Sequence, residues 1–226
     1  EFRNSFLVSV TVTLIGTAEA MIITTMAAYP LSKPEMKGRK IFLYLFVFVM
    51  LFNAGMVPNY LLYQTLKLTN TLGALIFSGM FSVFNLFMIK NYFESLPETI
   101  EEAAKVDGAS NIRIFRSIVL PMSLPMLATV TLFYAVGYWG NYFSGVLYIT
   151  KQDLKPLQQY MYDLITQATS LQDSAGKITD MDAAMNVSGE NIRSATIFVS
   201  TVPILLVYPF LQKYFVKGIT IGSVKG

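Results

Sequence analysis

The sequence contains no cysteine and no histidine. That excludes structural disulfides, thiolate or imidazole metal ligands, and any catalytic device built on a Cys nucleophile or a His base. Charge is scarce too: 14% of the 226 residues are Asp, Glu, Lys or Arg, against about 25% in soluble domains. No lysine is followed by Ser or Thr, so no phosphate-cradling P-loop can form. An intramembrane enzyme would need an aspartyl or Ser–Lys pair inside an apolar segment, and none occurs.

What is abundant is apolar sequence, 54% of residues with a mean hydropathy of +0.50. Residues 41–66, 68–89, 117–150 and 194–212 hold no charged side chain, and 5–32 holds only Glu19. An apolar run of about 18 residues or more can cross a ~30 Å hydrocarbon layer as a helix. The pattern predicts an all-α, polytopic helical membrane protein with spans near 5–30, 41–62, 70–91, 121–147 and 193–214. The chain begins at Glu1 rather than Met, as expected of a trimmed or partly ordered product.

Lys and Arg set the orientation. One set of connections carries Lys33, Lys37, Arg39, Lys40, Lys90, Lys105, Arg113, Arg116, Lys213, Lys217 and Lys225; the other carries Arg3, Lys67, Lys151, Lys155, Lys177 and Arg193. The richer set is expected in the cytoplasm, which places residues 95–120 and the C-terminus inside and the loop 148–192 outside. The net charge of +3 is spread over both sides, which argues against a nucleic-acid surface.

Residues 94–125 read ESLPETIEEAAKVDGASNIRIFRSIVLPMSLP, a charged elbow in a greasy chain. Ser95-Leu96-Pro97-Glu98 fits a capping box. Glu98, Glu101 and Glu102 suit the positive end of a short helix and Lys105 its negative end. Glu101 and Lys105, four apart, are worth ~0.3 kcal/mol as a pair. Gly108 supplies a left-handed stop, and Ser110 or Asn111 caps a second helix reaching Pro121. Spacing puts Ile100, Ala103, Ala104 and Asp107 on one face and Glu98, Glu101, Glu102 and Lys105 on the other. A stripe so rich in alanine fits a knob for a protein cleft; the plainer alternative is a solvated turn between membrane helices.

Glu102-Ala103-Ala104, three residues, Gly108, nine residues, Ile118, one residue, Leu120-Pro121 resembles the EAA loop of ATP-binding-cassette (ABC) importer permeases. "AAYPLSK" and the terminal "YPFLQKYFVKGITIGSVKG" resemble the carbohydrate-uptake branch, the MalG type, and in particular its LplC/YtcP-like members. The resemblance implies a type I importer transmembrane domain over residues 1–226, with coupling loop 95–120, outer loop 148–192 and cytoplasmic tail 215–226. It implies that Glu102, Ala103, Ala104, Asp107 and Gly108, with Leu120 and Pro121, form the contact with a cytoplasmic ATPase dimer. ATP-Mg would sit on that partner, with no cofactor or metal in this chain and no enzymatic site. A second permease subunit, expected to be a different chain, and an extracytoplasmic solute-binding protein complete the expected assembly in a bacterial inner membrane. The family has six spans where five are legible, so the first is expected to lie outside this segment. It also tends to place Trp-Asn where this chain has Tyr138-Trp139-Gly140-Asn141.

Polar groups within spans are costly unless they face protein or water. Candidates for a sugar path are Asn85, Tyr138, Trp139 and Asn141, followed by Asn53 and Tyr134, since aromatic faces and amides suit sugar rings. The competing readings are interfacial anchors for the aromatics and helix–helix glue for the amides. Glu19 costs about 2.5–3.5 kcal/mol to insert, roughly matched by the apolar residues around it, which makes it a functional candidate. It also supports the alternative reading, an ion- or proton-coupled secondary transporter. The outer loop is expected to hold an amphipathic helix at 154–168 and to touch the binding protein or cap the pore.

Overall fold

A computed structural model describes residues 1–175 together with residues 194, 198, 201–203 and 205. The rest of the expected fifth span, the tail 215–226 and the outer loop beyond residue 175 lie outside the described residues. Those described form helices and connections, with no strand among them.

Helix α1 (Phe2–Ser32) is the axis of the bundle. At 1.5 Å per residue it is about 46 Å long, more than the hydrocarbon layer needs. Its buried stripe is small and hydroxylic: Ser5, Ser9, Val12, Gly16, Ala20, Thr24 and Ala28. Leu7, Leu14, Ile15, Ile22 and Met26 point out. In lipid there is no hydrophobic gain from facing Leu inward, so close approach of backbones decides the packing, and small residues permit it. Against this stripe pack α4 (Leu72–Phe77), α5 (Val83–Glu94), α8 (Leu124–Gly140) and α10 (Leu157–Ala175).

The uncharged runs 41–66, 68–89 and 117–150 are not single helices, which corrects the expected spans there. Helices α2 (Arg39–Leu51) and α3 (Met56–Thr65) meet at 111°. Gly55 stands at φ +89 between them, and the Asn53 side-chain oxygen accepts its N–H at 2.9 Å. The run 68–89 is interrupted between α4 and α5. Helix α7 (Asn111–Met122) contains a π-helical turn at Phe115–Val119 and meets α8 at 80°. The bend falls at Ser123, so Pro121 lies within α7 and does not open the next span. Among the described residues one helix is long and apolar enough to cross a membrane alone, or up to three spans if each bent pair counts as one.

A broken helix leaves orphan backbone groups that lipid cannot satisfy. Two tyrosines of α8 meet them at the α4–α5 break. The Tyr138 hydroxyl donates to Ile76 O at 2.7 Å, and Ser82 N–H donates to the Tyr134 hydroxyl at 3.1 Å. That hydroxyl also bonds Thr24 Oγ1 on α1 at 2.7 Å. Gly16 and Gly79 make room for the Tyr138 ring: a Cβ at either position would fall within 3.0 Å of ring carbons.

At the opposite end from the charged elbow, α9 (Tyr142–Tyr148) and a turn at Gln152–Leu154 lead into α10. The amphipathic helix expected at 154–168 begins at Leu157, just after Pro156. Leu157 N–H donates to Ser9 Oγ at 2.7 Å, and Trp139 packs edge-on against Phe6 at 6.0 Å beside Leu157 and Met161. Asn70, itself left-handed at φ 59, accepts from the N–H of Thr150 at 2.7 Å and of Lys151 at 3.1 Å. This end is stapled shut by side chains rather than left as loop.

Candidate functional site

The elbow folds as two short helices across a left-handed glycine. Helix α6 (Glu98–Val106) ends at Asp107, and Gly108 follows at φ +76. Ala109 N–H then donates to Ala104 O at 2.9 Å, with Gly108 N–H on Lys105 O at 3.0 Å. A Cβ at residue 108 would meet nothing within 4 Å, so glycine is required there by backbone conformation and not by space. Ser110 caps α7 by accepting Arg113 N–H at 3.4 Å. The glycine stop and the serine cap are where the local sequence places them.

The expected capping box does not form. Ser95 closes α5, its hydroxyl donating to Tyr92 O at 2.7 Å, and Pro97 precedes Glu98 without a side-chain cap. The faces also differ from the expected division. Glu101, placed on the solvated side by spacing, is 7% exposed. Both its carboxylate oxygens accept from Lys33 Nζ at 2.5 Å. Lys33 is the residue after α1, so it takes the place expected of Lys105. Ala104 is half-buried against the core, while Ile100, Glu102, Ala103, Asp107 and Gly108 are exposed. Beyond them Val106 and Ile112 are 88% and 78% exposed. The stub thus has one side tied to α1 and one side bare, carrying Glu102, Ala103, Val106 and Gly108.

Leu120 is half-buried and Pro121 exposed at the far end of α7, about 15 Å along that helix by its rise. They do not join the bare face. Between α1, α6 and α7 lies a groove of about 670 Å³ lined by Tyr29, Lys33, Glu101, Lys105, Asn111 and Phe115. Arg39 anchors its margin: Nε donates to Leu31 O at 2.8 Å and the guanidinium pairs with Glu94, which also takes Lys90 at 2.8 Å. Lys33, Arg39 and Glu94 were not singled out by sequence as site residues. Lys33 and Glu101 stand 68 positions apart, and no local pattern links them.

The residues considered for a sugar path are dispersed. Tyr138 is held by Ile76 O, and Trp139 sits in the outer cluster with Phe6. Asn141 caps α9, accepting Ser144 N–H at 3.1 Å and donating to Ser144 Oγ at 2.8 Å. Asn85 is buried in the first turn of α5. Glu19 is half-buried on α1 at an open depression shared with Leu14, Ala18 and Ile22.

Three comparisons bear on this geometry. The family model for the binding-protein-dependent transport system inner membrane component matches residues 20–221. The chain is 42% identical over 223 residues to the polygalacturonan/rhamnogalacturonan transport system permease protein YtcP of Bacillus subtilis (strain 168), covering 99% of this chain and 77% of that protein. It is 45% identical over 227 residues to protein LplC of the same organism, covering 100% of this chain and 75% of LplC. A crystal structure of a bacterial ABC transporter involved in the import of the acidic polysaccharide alginate superposes with a TM-score of 0.83 at 33% identity, over 95% of this chain and 75% of that one.

Proposed function

The chain belongs to the family of binding-protein-dependent transport system inner membrane components, and from that membership we propose that it is a permease subunit of an ATP-driven oligosaccharide importer. Its work is alternating access, driven by a separate ATPase that grips α6. The observation that carries this reading is the bare side of α6: Glu102, Ala103 and Val106 stand exposed on a nine-residue helix, with Gly108 stopping it just beyond, and its other side is fastened down. A short stiff helix passes displacement on where a frayed loop would absorb it.

Carbohydrate is proposed as cargo because YtcP is named for polygalacturonan and rhamnogalacturonan, and the solved relative for alginate. Uronic-acid-containing oligosaccharides are the common chemical denominator. Of the residues considered for a sugar path, Glu19 is the one proposed to meet the cargo directly, from its open depression on α1; Asn85, Tyr138, Trp139 and Asn141 are proposed to act behind it by holding the helices in place. The partners are an ATPase dimer holding ATP-Mg, a second permease and a solute-binding protein, with α6 on the cytoplasmic side. Family membership does not favour the ion-coupled carrier built on Glu19.

The test is to purify the tagged chain in mild detergent, identify what accompanies it by mass, and reconstitute the assembly with the binding protein. ATP-dependent uptake of oligogalacturonide is expected. An assembly with no nucleotide-hydrolysing subunit, or uptake driven by a proton gradient without ATP, refutes the reading.

A further inference from the structure

Helix α6 has few ways to pass a force to the bundle. On one side it joins α5 through the exposed Ser95 and Pro97, and on the other it joins α7 through Gly108 at φ +76. Both are bends in the chain. Across space, Ala104 rests on the core with a single methyl group, which can slide. Leu96 and Ala109, flanking the helix, also pack on the core; the polar and directional link from the helix itself is Glu101, with both oxygens 2.5 Å from Lys33 Nζ.

We infer that the Lys33–Glu101 ion pair is the strut through which movement of α6 reaches α1. This rests on the reading of α6 as the ATPase contact. The pair is sheltered, with Glu101 at 7% exposure, so water competes for it less than at an open surface. Lys33 Nζ also lies 5.0 Å from the Tyr29 ring centroid, where the ring face favours a cation. Its own backbone is fixed by the end of α1, and Arg39 fastens that end to α5 by way of Leu31 O and Glu94. A pull on α6 therefore meets an anchored partner. Because α1 packs against α4, α5, α8 and α10, displacement of its end is delivered to the whole bundle, including the stretch carrying Glu19. An ion pair transmits both push and pull, whereas an apolar contact resists only compression. Glu101 is in this sense a positioning residue: the exposed face with Glu102 meets the partner, and Glu101 decides what moves with it.

The experiment uses the complete importer, reconstituted with its ATPase, second permease and binding protein. Glu101→Gln, Lys33→Met and the charge-swapped pair Lys33→Glu with Glu101→Lys are compared with the parent for assembly, basal ATP hydrolysis and sugar taken up per ATP. The single variants are expected to assemble and hydrolyse ATP, with uptake per ATP lowered about tenfold, a size ordinary for coupling between sites. The swapped pair should recover much of that loss, which a purely local packing role would not give. Uptake per ATP unchanged in both single variants overturns the inference alone. So does loss of the ATPase from the purified complex, which would make the pair an assembly clip. So also does a swapped pair no better than the singles. An unaltered importer that lacks any ATPase overturns the inference together with the reading beneath it.

Discussion

Adding one methyl group at Gly16 should force α1 away from α8. A Cβ there would lie 2.5 Å from Tyr138 Cζ and 2.7 and 2.9 Å from its Cε atoms, where carbon–carbon contacts normally settle at about 3.5–4.0 Å. The ring would have to retreat by about 1 Å. It has no such freedom, because its far side lies on Gly79 and its hydroxyl holds Ile76 O at 2.7 Å. Either α1 shifts, or the Tyr138 hydroxyl lets go of Ile76 O, which then keeps the longer bond from Gly79 N–H at 3.4 Å at the break between α4 and α5. Overpacking of this kind costs about 1–3 kcal/mol, and a lost hydrogen bond adds about 0.5–1.5 kcal/mol. For a chain of this length each kcal/mol lowers Tm by about 2–4 °C, so the Tm of Gly16→Ala should fall by about 3–18 °C. The assay is heat-induced loss of the tagged chain from detergent solution, followed for Gly16→Ala, Tyr138→Ala and both together. With the ring gone, the methyl at residue 16 should cost less than about 0.5 kcal/mol, so the two changes couple strongly. A Tm like the parent's for Gly16→Ala, or an equal penalty in both backgrounds, refutes the packing argument.

Gly108→Ala should fold and insert, since its Cβ meets nothing, but holding φ +76 without glycine costs about 1–2 kcal/mol; sugar uptake per ATP is the measurement, and a loss is expected. Glu102→Lys, on the exposed face, should abolish ATP-driven uptake without changing expression in the membrane. Trp139→Ala removes the ring that Phe6, Leu157 and Met161 share and should cost about 3–5 kcal/mol, seen as faster protease cleavage ahead of α10. Asn70→Ala removes the acceptor shared by the exposed N–H groups of Thr150 and Lys151, at about 0.5–1.5 kcal/mol for each bond lost to water, and should open the 149–156 connection to the same protease. Glu19→Gln should keep ATP-driven uptake while changing its rate; loss of a proton-dependent flux would speak for the carrier alternative.

What the sequence determined by itself is whatever depends on neighbours within about one helical turn or on bulk composition. Scarce charge and long apolar runs are enough to announce a helical membrane protein. Gly108 and Ser110 announce a helix stop and a helix cap, because a left-handed residue and a hydroxyl accepting an N–H three positions on are local events. The spacing from Glu102 to Pro121 likewise carries its meaning in order alone. Tertiary structure decided which apolar runs stay whole and which polar residues are spoken for. The break in the run 68–89 is met from afar by Tyr134 and Tyr138, 52 and 62 positions away, whose hydroxyls bond backbone groups beside it. Glu101 looks solvated by its spacing and is buried because Lys33 arrives from the end of α1. Helical periodicity says which side chains share a face; it does not say which distant group that face will meet, and in a membrane that partner is what makes a polar residue affordable.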